Sequence, residues 1–218
     1  MWRWVLVLLL CISVSGCAVN IYSGRPSDKA KIGKLSQEVT RLEELREKER
    51  QELESAMRDL EHSLRKEIDN KDVSLQMLER GLVITFLAEV LFDSGKAVIK
   101  DDAKPVLKKV GDVIIRRAGT RNVGVEGHTD NEPIKYSGWK SNWELSTARA
   151  TSVLHFLIDD AGLRPERLSA IGYGEFRPIE SNSTEVGRQK NRRVEIVIIP
   201  EISKQRDLPK SANRSNIK

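Results

Sequence analysis

Residues 127–150 read GHTDNEPIKYSGWKSNWELSTARA, a strand-like lead-in, a loop with two tryptophans and the start of a helix. Asp130 and Arg149 stand on either side of the loop. Ser141-x-x-Glu144 has the form of a capping box, so the helix is expected to start near Asn142. At about 100° per residue, Trp143, Thr147, Ala150, Leu154, Leu157 and Ile158 share one stripe, which is expected to face a sheet. Asn142, Leu145 and Arg149 fall on a second stripe about 120° away, which places Arg149 at an edge and outside the core. Asp130 closes the preceding strand. With a right-handed connection the helix lies beside that strand end, and Asp130, Asn142 and Arg149 would line one shallow pocket. Spacing alone favours a plain structural salt bridge between Asp130 and Arg149.

Outward from this stretch, the apolar runs extend over residues 81–200. LVITFLAEVLF is β-rich and ends in a turn at Phe92–Gly95. DDAKPVLKKVGDVIIRRA reads as a helix, with acids in its first turn, Arg116 and Arg117 in its last and Gly119 just beyond. RLSAIGYGE reads as a short strand or turn, and RRVEIVII as a final strand ended by Pro200. Strands alternating with helices indicate an α/β (α+β) sandwich, one mixed sheet packed against helices.

Residues 28–80 contain no proline and a single glycine, Gly33. Leu35, Val39 and Leu42 keep a three-four spacing, as do Leu53, Ala56 and Leu60, while Arg46 and Glu49 interrupt the seam. This reads as a helical, coiled-coil-like spacer through which the chain would self-associate, or else as a partly disordered charged linker. If continuous, it would reach on the order of 75 Å at about 1.5 Å per residue. Residues 201–218 read as a disordered tail.

At the other end, Arg3, the apolar VLVLLLCISV and then VSGC form the pattern of a secretory signal over residues 1–16. The apolar run falls short of the roughly twenty residues that a bilayer span needs, and it carries no acid for ion conduction. Val14-Ser15-Gly16-Cys17 resembles the lipobox of bacterial lipoproteins, which implies acylation at Cys17 and a tether over residues 17–27. Ala18 after the cysteine, in place of aspartate, implies sorting to the outer membrane. With Cys11 removed and Cys17 acylated, no thiol remains for a disulfide or a nucleophile.

Composition narrows the function. The net charge of +5 is scattered, with no dense basic run interleaved with aromatics, so no nucleic-acid partner is expected. His62, His128 and His155 lack metal-ligand spacing, and neither a metal nor a cofactor is expected. Glycan cleavage needs two carboxylates across a cleft. Of Asp93, Glu126 and Asp130, only Asp130 has a pocket address, so no enzyme is expected.

VEGHTD, NWELSTARA and GRQKNRRVEI occur in the order, and on the elements, of the OmpA-like peptidoglycan-binding domain, which this half of the chain resembles. The resemblance implies that Asp130 and Arg149 hold the diaminopimelate of a peptidoglycan stem peptide. It also assigns pocket positions to Asn142 and Arg192. An aspartate suits the ligand's ammonium, and arginine's planar fork suits its carboxylate. The loop NEPIKYSGWKS is longer than in short-loop members and is similar to the MotB-type flagellar stator branch. The function this implies is non-covalent tethering of an outer membrane to the cell wall, with a stator-associated or scaffold role as the alternative.

Overall fold

The computed structural model describes residues 26–135 and 137–201. The expected signal, the Cys17 anchor, the tether up to residue 25 and the tail from residue 202 lie outside the described residues. The chain divides into two units, residues 1–43 and 44–218.

Helix α1, Pro26–Ser63, runs from the first unit into the second. Its described residues before Glu44 include no buried side chain, and Ile32, Leu35 and Val39 are all more than half exposed. Among the described residues no helix is long and apolar enough to cross a membrane.

The second unit is built on a five-stranded sheet. After α1 come α2 (Arg65–Asp69), β1 (Val73–Leu78), β2 (Gly81–Leu87), a single turn α3 (Ala88–Leu91) and α4 (Lys104–Arg117). Then follow β3 (Val123–His128), α5 (Asn142–Asp159), β4 (Leu168–Gly172), α6 (Glu185–Asn191) and β5 (Arg193–Ile198). The strand order is β1-β2-β5-β3-β4. All neighbours are antiparallel except β3 and β4, which are parallel and joined through α5. This is the mixed sheet with helices that the alternation of patterns indicates.

Strand periodicity places the core on one face of the sheet. Leu82, Ile84 and Phe86 of β2 pair in register with Ile198, Ile196 and Val194 of β5, and Val123 and Val125 of β3 continue the row. These residues form one hydrophobic cluster with Leu107, Val110 and Ile114 of α4 and Ala150, Val153 and Leu157 of α5. The alternate positions carry polar groups: Arg193, Glu195, Glu126 and His128.

The spacer expected over residues 28–80 divides differently. Residues 73–78 are the edge strand β1, and Leu53, Ala56, Leu60 and Leu64 belong to the core cluster. Their helical spacing serves a seam, but the seam is filled by the chain's own domain. Charge fixes this docking: Asp59 pairs with Arg117 at 2.7 Å, and the buried Arg121 meets Glu52 at 2.5 Å and Glu49 at 3.5 Å. Glu49, an interruption of the seam by sequence, is thus the buried partner of an arginine.

Candidate functional site

The site forms where β3 ends and α5 begins. A Cβ at Gly127 would overlap the Ser146 carbonyl, and one at Gly172 would overlap Thr147, so these glycines let α5 lie directly on β3 and β4. Ser141 caps α5 by accepting from the Glu144 N–H at 3.4 Å. The Glu144 carboxylate accepts the Lys140 N–H at 2.8 Å, one residue before the position of a full capping box. Beyond β3, the Thr129 N–H donates to the Gly174 carbonyl at 2.9 Å, which holds Asp130 at the strand end.

A cleft of about 620 Å³ opens there, with Asp130, Asn142, Arg149 and Arg192 all in its lining. Arg149 corrects the helical-wheel reading. It is 5% exposed, its Nε donates to the Lys96 carbonyl at 2.9 Å, and its guanidinium lies 5.2 Å from the centre of the Phe92 ring. The expected sheet-facing stripe is displaced as well: Trp143 and Thr147 are exposed, whereas Leu145, Ser146, Arg149 and Val153 are buried. The wheel took apolar character as its guide, and the glycine contacts instead turn the Ser146 side of α5 onto the sheet.

The Asp130–Arg149 salt bridge does not form. Asp130 Oδ2 accepts from Arg192 Nη1 at 2.6 Å, and its Oδ1 accepts the Glu132 N–H at 3.2 Å. Arg192 also pairs with Glu185 at 3.1 Å. Arg149 has no ion pair among the described residues. Burial lowers its pKa to about 10, with repulsion from Arg192 adding to the shift and attraction to Asp130 opposing it. Burial works against the charge on Arg192 too, but the hydrogen bonds to Asp130 and Glu185 outweigh it and raise its pKa. Asn142 spans the wall, donating to the Glu132 carbonyl at 3.1 Å and to Glu175 Oε2 at 2.7 Å.

Three supporting residues escape sequence reasoning or gain a definite role. Phe92 provides the face against which Arg149 lies. Asn191 is fully buried; its Oδ1 accepts the Ile179 and Glu180 N–H groups, and its Nδ2 donates to the Glu180 carbonyl and to Asn182. That network fixes the loop before α6 and so the position of Arg192. Trp139 donates its indole N–H to the Gly95 carbonyl at 2.8 Å, fastening the long loop across the 93–96 turn. Gly95 has a φ of +67°, and a Cβ there would press against Ser137.

On the opposite sheet face, His128 lies with Glu126 and Glu195 in a cluster of metal-ligand geometry. Arg80 reaches both carboxylates, and Arg193 pairs with Glu195 at 2.5 Å, so guanidinium groups supply the positive charge there. Burial, reinforced by Arg193, lowers the His128 pKa to about 3.

Known proteins share this architecture. The OmpA family pattern matches residues 91–192. Motility protein B of Bacillus subtilis (strain 168) is 39% identical over 152 residues, which is 70% of this chain and 58% of that protein. Outer membrane porin F of Pseudomonas fluorescens is 41% identical over 114 residues, covering 52% of this chain and 33% of the porin. The chain therefore spans less than two thirds of either relative. The solved structure of the cell wall anchor of the T6SS from Pseudomonas aeruginosa aligns with a TM-score of 0.59 at 33% identity, over 65% of this chain and 97% of the anchor. With its blocks on the expected elements and its mixed sheet packed against helices, the chain belongs to the OmpA family through its C-terminal part.

Proposed function

We propose that the cleft binds peptidoglycan non-covalently, taking the diaminopimelate of a stem peptide between Arg149 and Asp130. The observation that carries this reading is Arg149: a guanidinium 5% exposed, lining a cleft and without an acidic partner among the described residues. Among the described residues only its Nε is hydrogen-bonded, and its guanidinium face rests on the Phe92 ring. A ligand carboxylate supplies the missing charge through the two remaining nitrogens, in the bidentate geometry that suits arginine. A carboxylate offers about four acceptor sites. Asp130 uses two on Arg192 and the Glu132 N–H, leaving room for an ammonium. Arg192 and Asn142 hold that wall in place. The paired or exposed acids around the cleft do not form a general acid and base, so the site binds without turnover.

The test is calorimetric titration of the full-length chain with a diaminopimelate-containing stem peptide, alongside thermal melts. Arg149→Ala and Asp130→Asn should each lose about 30-fold to 1000-fold in affinity, the range for an unpaired buried charge worth about 2–4 kcal/mol. Arg149→Lys should recover only part of that loss, because it keeps the charge without the bidentate fork. Folded variants that bind like the wild type would refute the reading.

In this proposal the chain is an outer-membrane lipoprotein acylated at Cys17, and Cys17→Ser abolishes acyl labelling. The exposed stripe of Ile32, Leu35 and Val39 favours self-association of the spacer, which sedimentation of the full-length chain tests by its mass. The similarity to Motility protein B supports a second reading, in which wall binding serves to position a protein complex. Co-purification of a stable membrane complex from cells, lost when the spacer is deleted, would favour that second reading.

A further inference from the structure

Next to the cleft stand two aromatic rings that the binding of a stem peptide does not use. Trp143 and Phe176 are 49% and 60% exposed, yet their rings are stacked on one another, 5.2 Å apart and within 23° of parallel. Scattered single apolar side chains are ordinary on a protein surface, whereas a stacked pair of exposed rings presents an aromatic face of definite orientation. Both are held by well-defined backbone. Trp143 lies in the first turn of α5, where its carbonyl accepts the Ser146 hydroxyl at 3.0 Å, and Phe176 closes a turn onto the Tyr173 carbonyl at 3.3 Å.

The pair neighbours the cleft through Asn142. Trp143 follows Asn142 in the chain, and Phe176 follows Glu175. The Asn142 side chain, which lines the cleft, donates to the Glu175 carboxylate at 2.7 Å. The stacked rings therefore flank the Asn142–Glu175 pair, just outside the lining of the cleft.

We infer that Trp143 and Phe176 form a stacking platform for the pyranose rings of a glycan strand whose stem peptide occupies the cleft. A pyranose presents an apolar C–H face bordered by hydroxyl and acetamido groups. The C–H face suits the negative face of an aromatic ring, and Glu175 and Asn142 supply hydrogen-bonding groups for the polar border. Geometry agrees with that ligand. Diaminopimelate stands third in the stem, so the lactyl arm and two preceding residues tie it to its sugar by at most roughly 14 Å of extended chain, and a sugar site must lie near the cleft. Rings fixed before binding lose little freedom on contact, which favours a platform over a floppy hydrophobic patch.

This inference rests on the peptidoglycan reading of the cleft, and two probes separate them: a diaminopimelate tripeptide, and the same tripeptide on its N-acetylated disaccharide. Titrated into the full-length chain, the disaccharide form should bind about tenfold more tightly, a gain of the size aromatic stacking supplies. Trp143→Ala and Phe176→Ala should each remove most of that gain while leaving tripeptide affinity within about twofold, and Trp143→Phe should retain it. Equal affinity of the wild type for both probes overturns the platform alone. So does a gain that survives both alanine variants, or an absent gain with self-association lost in Trp143→Ala. Failure to bind either probe overturns the cleft reading and the platform together.

Discussion

Arg149 and His128 are both buried bases within one sheet's reach, and their partners separate their roles. Arg149 keeps its charge at neutral pH because a pKa of about 10 remains well above 7, so it is available to an anion. His128 is neutral, stacks on Tyr173 at 5.2 Å, and has neither ring nitrogen hydrogen-bonded among the described residues. Arg193, Arg80 and Arg177 oppose its protonation after burial, while Glu195 favours it. Its folded pKa of about 3 lies below the ordinary 6.5, so between these values the unfolded chain binds the extra proton. Stability is therefore lost as pH falls from 6.5 toward 3. Between pH 7 and pH 5 the loss is about 2 kcal/mol from this residue. Urea unfolding at both pH values checks it, and His128→Gln should flatten the dependence. Glu195, whose pKa is lowered by Arg193 and Arg80 against the effect of burial, contributes stability that is full above the carboxylate range and lost only as pH falls through and below it, which leaves this window to His128.

Among the elements, the contact of α5 with β3 and β4 decides whether a site exists. Gly127 and Gly172 permit backbone-to-backbone approach that any side chain would block. That approach carries Asn142 and Arg149 to the end of β3, beside Asp130. Gly127→Ala should cost about 3 kcal/mol, because its methyl meets a carbonyl that cannot rotate away. Relief by lifting α5 would widen the cleft, so stem-peptide affinity should fall beyond what the melting temperature explains. Thermal melts combined with titration at a temperature where the variant stays folded measure both effects.

Across the whole molecule, the second unit begins within α1 and not at the first residue of β2. Leu60 and Leu64 are fully buried, and Arg121 joins the docked helix to the turn after α4. Leu60→Ala should destabilise the domain by about 2–5 kcal/mol, the usual cost of truncating a buried leucine. A fragment of residues 81–200 should melt lower still, since it lacks β1 and the helix that covers the sheet. A fragment as stable as residues 44–201 would contradict this division.

What the sequence determined by itself was local. Strand and helix periods, the Ser141 cap and the glycines at turns depend on near neighbours, and the alternation of elements is enough to imply a mixed sheet against helices. The blocks around Asp130, Asn142, Arg149 and Arg192 were legible as a group through their resemblance to the OmpA-like domain, and all four line the cleft. Partner choice was decided only in three dimensions. An amphipathic seam from Leu53 to Leu64 satisfies another copy or its own domain equally well, since apolar burial has no direction. Asp130 had two arginines within sequence reasoning's reach, and the fold pairs it with Arg192, held by the Asn191 network. Arg149, drawn inward by the close approach of α5, was left buried, charged and open to an anion.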